Sequence, residues 1–149
     1  MLVVIAEQNE LKLVKELGYE NYPVIITGVG GMNIIEALRD IPKDTEILNI
    51  GHVGSNVLPI GTIVEIVKVA TNHEIAHFNE PFKFLHNIRN EYEETCCYTS
   101  TDFVTHTDKK EPCVFDMELA FICSMFNNVG SIKVVSDNLN KEEYNNIQK

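Results

Sequence analysis

The sequence predicts an α/β protein in which helices cover a mixed, mostly parallel central sheet. Three observations carry that expectation. Short apolar runs read as strands, Leu2 to Ala6, Val24 to Thr27 and Ile47 to Ile50, the first of them suiting a strand buried on both faces. Stretches with apolar residues at helical spacing follow the first two runs, Gln8 to Leu17 and MNIIEALRD. Glycines then stop or turn the chain, at Gly18 and in GVGG.

In chain order, Leu11, Val14 and Leu17 give the first helix an inward face before Gly18 ends it. Tyr22-Pro23 introduces the second strand, and Ile34, Ile35 and Leu38 turn the second helix inward. The third strand, Ile47 to Ile50, ends in GHVGSN, and Gly61 to Ala70 reads as a longer strand after the turn at Pro59. From Thr71 to Glu94, Pro81 and the charged NIRNEYEE break every period. That segment reads as a loop or short hairpin over a pocket or subunit contact, with Phe78, Phe82, Phe84 and Leu85 needing cover. Cys96 to Thr99 resumes a strand, STDFVTH turns, and a polar loop leads to Val114 and Phe115, the end of a buried strand. Met117, Ala120, Phe121, Ser124 and Met125 recur at helical spacing, which starts a helix near Asp116. Ser131 to Ser136 is the last strand, with Val134 and Val135 buried, and Lys141 to Gln148 is a short polar helix.

At 149 residues the chain has the size of one domain, spanning 1–149, and enough length to bury a core. Its net charge of −10 opposes contact with a phosphate backbone, so neither nucleic acid nor an anionic membrane is an expected partner. No apolar run is long enough to cross a bilayer, and MLVVIAEQNE lacks the basic start of a signal peptide, so a cytoplasmic location is expected. Cys96, Cys97, Cys113 and Cys123 form no C-x-x-C pair and read as reduced structural thiols. His73 and His77 have an i,i+4 spacing, but the segment follows a strand-like run, and a surface or hydrogen-bonded pair is the better reading. No metal and no cofactor are expected.

Two corners carry polar groups that a core pattern does not need. Gly28-Val29-Gly30-Gly31 follows a strand and opens a helix, as dinucleotide loops do, but Asn33 stands where the third glycine of G-x-G-x-x-G belongs. A tight turn, or backbone held close to a ribose or a water, remains. At CVFDMELAFICSM, Asp116 can cap a helix, whereas Glu118 is not explained by capping. This corner lies at the carboxyl end of a strand, where open α/β sheets place their ligands.

The segments VVIAEQNE, TGVGGMN, ILNIGHVGSNVLPIGTIVEI, TSTDFV, VFDMELAFIC and IKVVSDN, in this order, make the chain resemble the nucleoside phosphorylase and nucleosidase superfamily. It is most similar to 5′-methylthioadenosine/S-adenosylhomocysteine nucleosidases, as a shortened member. The resemblance implies a three-layer αβα fold, cleavage of the N-glycosidic bond of a purine nucleoside, and a homodimer. It implies that Glu10 activates water and that Asp137 protonates the purine at N7. Met117 and Glu118 would hold the ribose, Phe103 would stack on the base, and the backbone of Val104 would read its edge. Thr27 and Gly28 would lie at the turn near the ribose and water.

The chemistry asks for such a set independently. Breaking a glycosidic C–N bond builds positive charge on the sugar and negative charge on the departing base. A protonated acid at the base and an ionised group near the sugar both favour that state. Without the resemblance, Glu10 reads equally as a solvated first-turn residue and Asp137 as a helix cap.

The resembling phosphorylases carry an arginine just before the glycine ending the third strand, where this chain has Asn49. Arg39 and Arg89 lie in no motif. Phosphate needs charge-assisted donors, so water is the expected nucleophile, with a phosphorylase or a non-catalytic nucleoside-binding protein as alternatives. Lys133 stands where the nucleosidases usually have an arginine near the water, and His52 replaces a small residue.

Overall fold

The computed structural model of the chain describes residues 1–71, 83–85, of which 83 and 84 as backbone only, and 92–147. The strands are β1 Leu2–Ile5, β2 Val24–Ile26, β3 Glu46–Ser55, β4 Ile63–Thr71, β5 Lys83–Phe84, β6 Glu93–Thr99, β7 Cys113–Asp116 and β8 Asn128–Asp137. The helices are α1 Leu11–Glu16, α2 Gly31–Leu38, α3 Leu119–Met125 and α4 Lys141–Ile147, with a 3₁₀ turn at Gln8–Glu10. The expected histidine pair, the apolar Phe78 and Phe82, Arg89 and Gln148 lie outside the described residues.

All eight strands join one mixed sheet. β1 pairs in parallel with β2 and β3, β3 with β8, β4 with β6, and β6 with β7. Antiparallel pairs join β4 to β8, β4 to β5 and the end of β3 to β7. β3 is therefore flanked by β8 over nearly its whole length and by β1 at Ile47–Asn49, with Val4 opposite Asn49 and Ile50 opposite Ile132.

Alternate strand residues face two cores. Val3, Ile5, Leu48, Ile50 and Ile132 pack with Leu13, Val14 and Leu17 of the α1 region. Val4, Ile47, Val53 and Val135 pack on the other face with Ile34 and Leu38 of α2 and Leu119, Ile122 and Cys123 of α3. Helices on both faces of the sheet give the three layers that the sequence predicts. None of the four cysteines is in a disulfide.

The structure corrects the helix phases. The 3₁₀ turn shifts α1, so Leu13 lies inside and Leu11 is 36% exposed. The stripe of α2 is only Ile34 and Leu38, leaving Ile35 47% exposed. The third helix begins at Leu119 because Asp116 remains in β7 and its Oδ2 accepts the Leu119 N–H at 2.7 Å. Leu119, Ile122 and Cys123 then form its buried face, Phe121 and Met125 pack at the margin, and Ser124 is exposed. In β8, Val135 is buried and Val134 only half-buried. β3 also runs five residues beyond Ile50, through GHVGS.

α2 and α3 meet at Gly31, where an added Cβ would lie 2.5 Å from the Phe121 ring. Overpacking of this kind costs about 1–3 kcal/mol. Gly31→Ala is accordingly expected to lower the thermal midpoint by several degrees, and to do so less in a Phe121→Ala background. An unchanged midpoint in Gly31→Ala would show that the ring simply moves aside.

Candidate functional site

The carboxyl ends of β1, β3, β7 and β8 open into a cavity of about 370 Å³. Glu10, Phe103, Met117, Glu118 and Asp137 all line it. Val104 lines a small adjoining cavity that shares Phe103, Met117 and Asp137. Thr27 and Gly28 are not among the lining residues. The Thr27 hydroxyl is turned back onto the Ile5 and Gly28 carbonyls, at 3.3 and 2.8 Å, while Val29 lines the cavity in its place.

Glu10 is buried rather than solvated, at 4% exposure. Its Oε1 accepts the N–H groups of Ala6 and Glu7, both at 3.0 Å, and its Oε2 accepts the His52 N–H at 2.7 Å. Burial pushes its carboxyl above the usual range, while these N–H groups and the Lys133 ammonium pull it back. An added Cβ on Gly51 would stand 2.8 Å from Glu10 Oε2, so only glycine leaves room for this carboxylate.

Asp137 stands at the end of the neighbouring β8. Its Oδ2 accepts the Ser136 hydroxyl at 2.9 Å, and its Oδ1 accepts the Leu139 N–H at 2.9 Å. The cap of α4 is Asn140, whose Oδ1 accepts the N–H groups of Glu142 and Glu143. Burial raises the Asp137 carboxyl, opposed by the Ser136, Leu139 and Asn140 donors. Gly54 serves it as Gly51 serves Glu10: an added Cβ would lie 2.8 Å from Asp137 Oδ1.

Between them lies a buried charge cluster. Asp116 Oδ1 accepts from Thr99 Oγ1 at 2.5 Å and from the Cys97 thiol at 3.3 Å, and Asp116 Oδ2 lies 3.4 Å from Lys133 Nζ. Burial works against the Lys133 charge, yet Asp116, Cys97, Glu118 and Glu10 together hold its pKa above the ordinary value. Glu118 Oε2 accepts the Gly30 N–H at 2.8 Å, tying the glycine turn to the α3 corner. Burial, then the nearby Asp116, pushes the Glu118 carboxyl up to about 8.

His52, which the sequence marks as replacing a small residue, lines the cavity; its buried Nδ1 makes no hydrogen bond among the described residues and lies 3.9 Å from Glu10 Oε2, and burial lowers its pKa. Other lining residues escape the sequence reading of the site. Glu7, Lys141 and Tyr144 also line it, and the Tyr144 hydroxyl donates to Glu7 Oε2 at 2.6 Å. Asn49 is consumed within the sheet: its Nδ2 donates to the Val4 carbonyl and its Oδ1 accepts the Ser131 hydroxyl, both at 3.1 Å.

No protein-family model and no curated protein sequence matches the chain. Solved structures do match. An MTAN from Chlamydia trachomatis bound to adenine superposes with a TM-score of 0.79 at 17% identity, over 99% of this chain and 86% of that one. The 5′-methylthioadenosine/S-adenosylhomocysteine nucleosidase of Neisseria meningitidis, in complex with methylthio-immucillin-A, gives 0.78 at 15% identity, over 98% and 90%. The corresponding enzyme of S. pneumoniae with a transition-state inhibitor gives 0.77 at 16%, over 97% and 90%. The chain has the fold of these nucleosidases.

The Glu118 carboxyl has a stability consequence. Its folded pKa lies above the unfolded one, so the folded state holds the proton that the unfolded state releases, and stability falls as pH rises between about 4.5 and about 8. Urea midpoints are expected to decline from pH 5 to pH 8, and Glu118→Gln to flatten much of that decline. A Glu118→Gln profile parallel to wild type would place the slope in other groups.

Proposed function

We propose that the protein is a purine nucleoside N-ribosyl hydrolase that cleaves an adenosine-type nucleoside with water, either one of the methylthioadenosine or S-adenosylhomocysteine kind or plain adenosine. The observation that carries this reading is that Glu10 and Asp137, on two different strand ends, line one cavity in a chain with a nucleosidase fold.

In this reading Glu10, held by three N–H donors near Lys133, takes a proton from the attacking water. Asp137, whose buried carboxyl retains its proton more readily than an exposed one, gives a proton to purine N7 as the bond breaks. Phe103 stacks on the base and the Val104 backbone reads its edge. Met117 and Glu118 hold the ribose, with Glu118 on its hydroxyls. Thr27 and Gly28 act indirectly, shaping the turn that delivers Val29 and the Gly30 N–H. Water is favoured over phosphate because no arginine lines the cavity among the described residues and Asn49 is engaged elsewhere.

The same reading takes residues 1–149 as one domain of a cytoplasmic homodimer. Among the described residues no helix is long and apolar enough to cross a membrane. Ile26, Val29, Met32 and Ile35 expose apolar surface along β2 and α2. Light scattering at the monomer mass would remove the dimer.

The decisive assay is release of free adenine from methylthioadenosine or adenosine in phosphate-free buffer. Asp137→Asn and Glu10→Gln should each lower the rate by about 10²–10⁴-fold. The pH profile should be bell-shaped, falling at low pH as Glu10 gains a proton and at high pH as Asp137 loses one. An Asp137→Asn enzyme at the wild-type rate contradicts the mechanism. Strict dependence on phosphate would make the protein a phosphorylase, and thermal stabilisation by adenosine without product would make it a binder.

A further inference from the structure

The roles assigned above account for the base, the ribose hydroxyls and the water, and they leave one wall of the cavity unused. That wall is polar. Tyr144, from α4, donates its hydroxyl to Glu7 Oε2 at 2.6 Å, and its ring stands 5.4 Å from the Phe103 ring, centroid to centroid. Burial and the Glu7 hydrogen bond both raise the Tyr144 pKa, which keeps the phenol a donor. Glu7, Lys141 and Tyr144 all line the cavity.

Stereochemistry says which part of a nucleoside meets this wall. In a β-nucleoside the base and C5′ project from the same face of the ribose ring, and the 2′ and 3′ hydroxyls project from the other. Resting on the functional reading above, Phe103 marks the base face and Glu118 the hydroxyl face. Tyr144 packs against Phe103 and so borders the space into which C5′ points. We propose that the Tyr144 hydroxyl and the Glu7 carboxylate form the 5′ wall of the site and select nucleosides with a hydrogen-bonding 5′ group, a hydroxyl or an amine, over 5′-thioethers.

The energetic argument is one of desolvation. A thioether is at best a weak acceptor. Seated against a carboxylate and a phenol, it removes their water and returns little. A 5′-hydroxyl or 5′-ammonium instead donates to Glu7 or to the Tyr144 phenol oxygen, whose own proton is held by Glu7. Sites built to bond such a group reject analogues that lack it far more strongly than apolar pockets reject an extra methylene.

The test compares kcat/KM for adenosine, 5′-amino-5′-deoxyadenosine and methylthioadenosine, all in phosphate-free buffer. The wild-type enzyme is expected to prefer the first two over the thioether by at least about tenfold. Tyr144→Phe, which keeps the ring beside Phe103, and Glu7→Leu are each expected to shrink that ratio. The double variant is expected to bring it to one or below. A wild-type ratio at or below one, or ratios in the variants equal to wild type, overturns the proposal. Calorimetric affinities for the three nucleosides, with adenine as the ligand lacking C5′, read the same preference without turnover. Wild-type protein that binds all three but releases no adenine therefore refutes the hydrolase while the affinity ratio still decides the wall. Adenine affinity falling in Tyr144→Phe as much as adenosine affinity does would place the hydroxyl at the base and also overturn the proposal.

Discussion

The site depends on two missing side chains. Gly51 and Gly54 lie three residues apart on β3, about 10 Å at strand rise, and each leaves the space that a carboxylate from a neighbouring segment occupies. Glu10 reaches Gly51 from the turn after β1, and Asp137 reaches Gly54 from the end of β8. Because β1 and β8 flank β3 and run parallel to it, both carboxylates arrive at the same edge of the sheet. A register slip of one residue would set Ile50 or His52 beside Glu10, or Val53 or Ser55 beside Asp137. Glycine weakens a strand interior, and this strand carries two because the space they leave is occupied by the acids.

Behind the acids, one ammonium serves several carboxyl groups. Lys133 is 1% exposed, with Asp116 at 3.4 Å and Glu118 and Glu10 within its field. Desolvating so many charges is costly unless most are paired or neutralised. The structure meets this in three ways. Asp116 is saturated by Thr99, Cys97, Leu119 and Lys133. Glu10 is held by backbone donors. Burial and the nearby Asp116 push the Glu118 carboxyl up to about 8, which favours its protonated form at neutral pH. The network also links β6, β7, β8 and α3, so the electrostatics of the site and the docking of α3 share the same bonds.

β1 and β3 are legible because continuous apolar runs survive in the sequence where both faces are covered. What failed was phase and extent. GHVGS reads as a turn by propensity, yet it is strand because its glycines answer to carboxylates contributed by other segments, which local periodicity cannot register. Ile35 and Leu11 fit a helical period but sit on stripes too narrow to include them. Asp116 was read as a helix start when it closes a strand, since its bond to Leu119 N–H caps from three residues away. Glu10, Phe103, Met117, Glu118 and Asp137 were assembled from an ordered set of motifs. Glu7 and Tyr144 were not, because α4 is a polar helix with no buried residue and nothing in its pattern marks Tyr144 as facing a cavity, and His52 shows in the sequence only as the replacement of a small residue.

The same charges bear on the choice of nucleophile. Glu7, Glu10, Asp102 and Asp116 line the cavity together with Glu118 and Asp137, whose carboxyls burial raises toward the protonated form, against Lys141 among the fixed cations of the lining. A phosphate dianion brought to the sugar would meet this field with no arginine among the described lining residues to offset it, and Asn49 is bound to Val4 and Ser131. Water carries no such penalty. In the proposed reaction the sugar becomes cationic as the base departs, so a field that repels phosphate also stabilises the developing charge. Excess acid therefore disfavours one reaction and lowers the barrier of the other, and a single arginine placed beside Gly51 would oppose both effects at once.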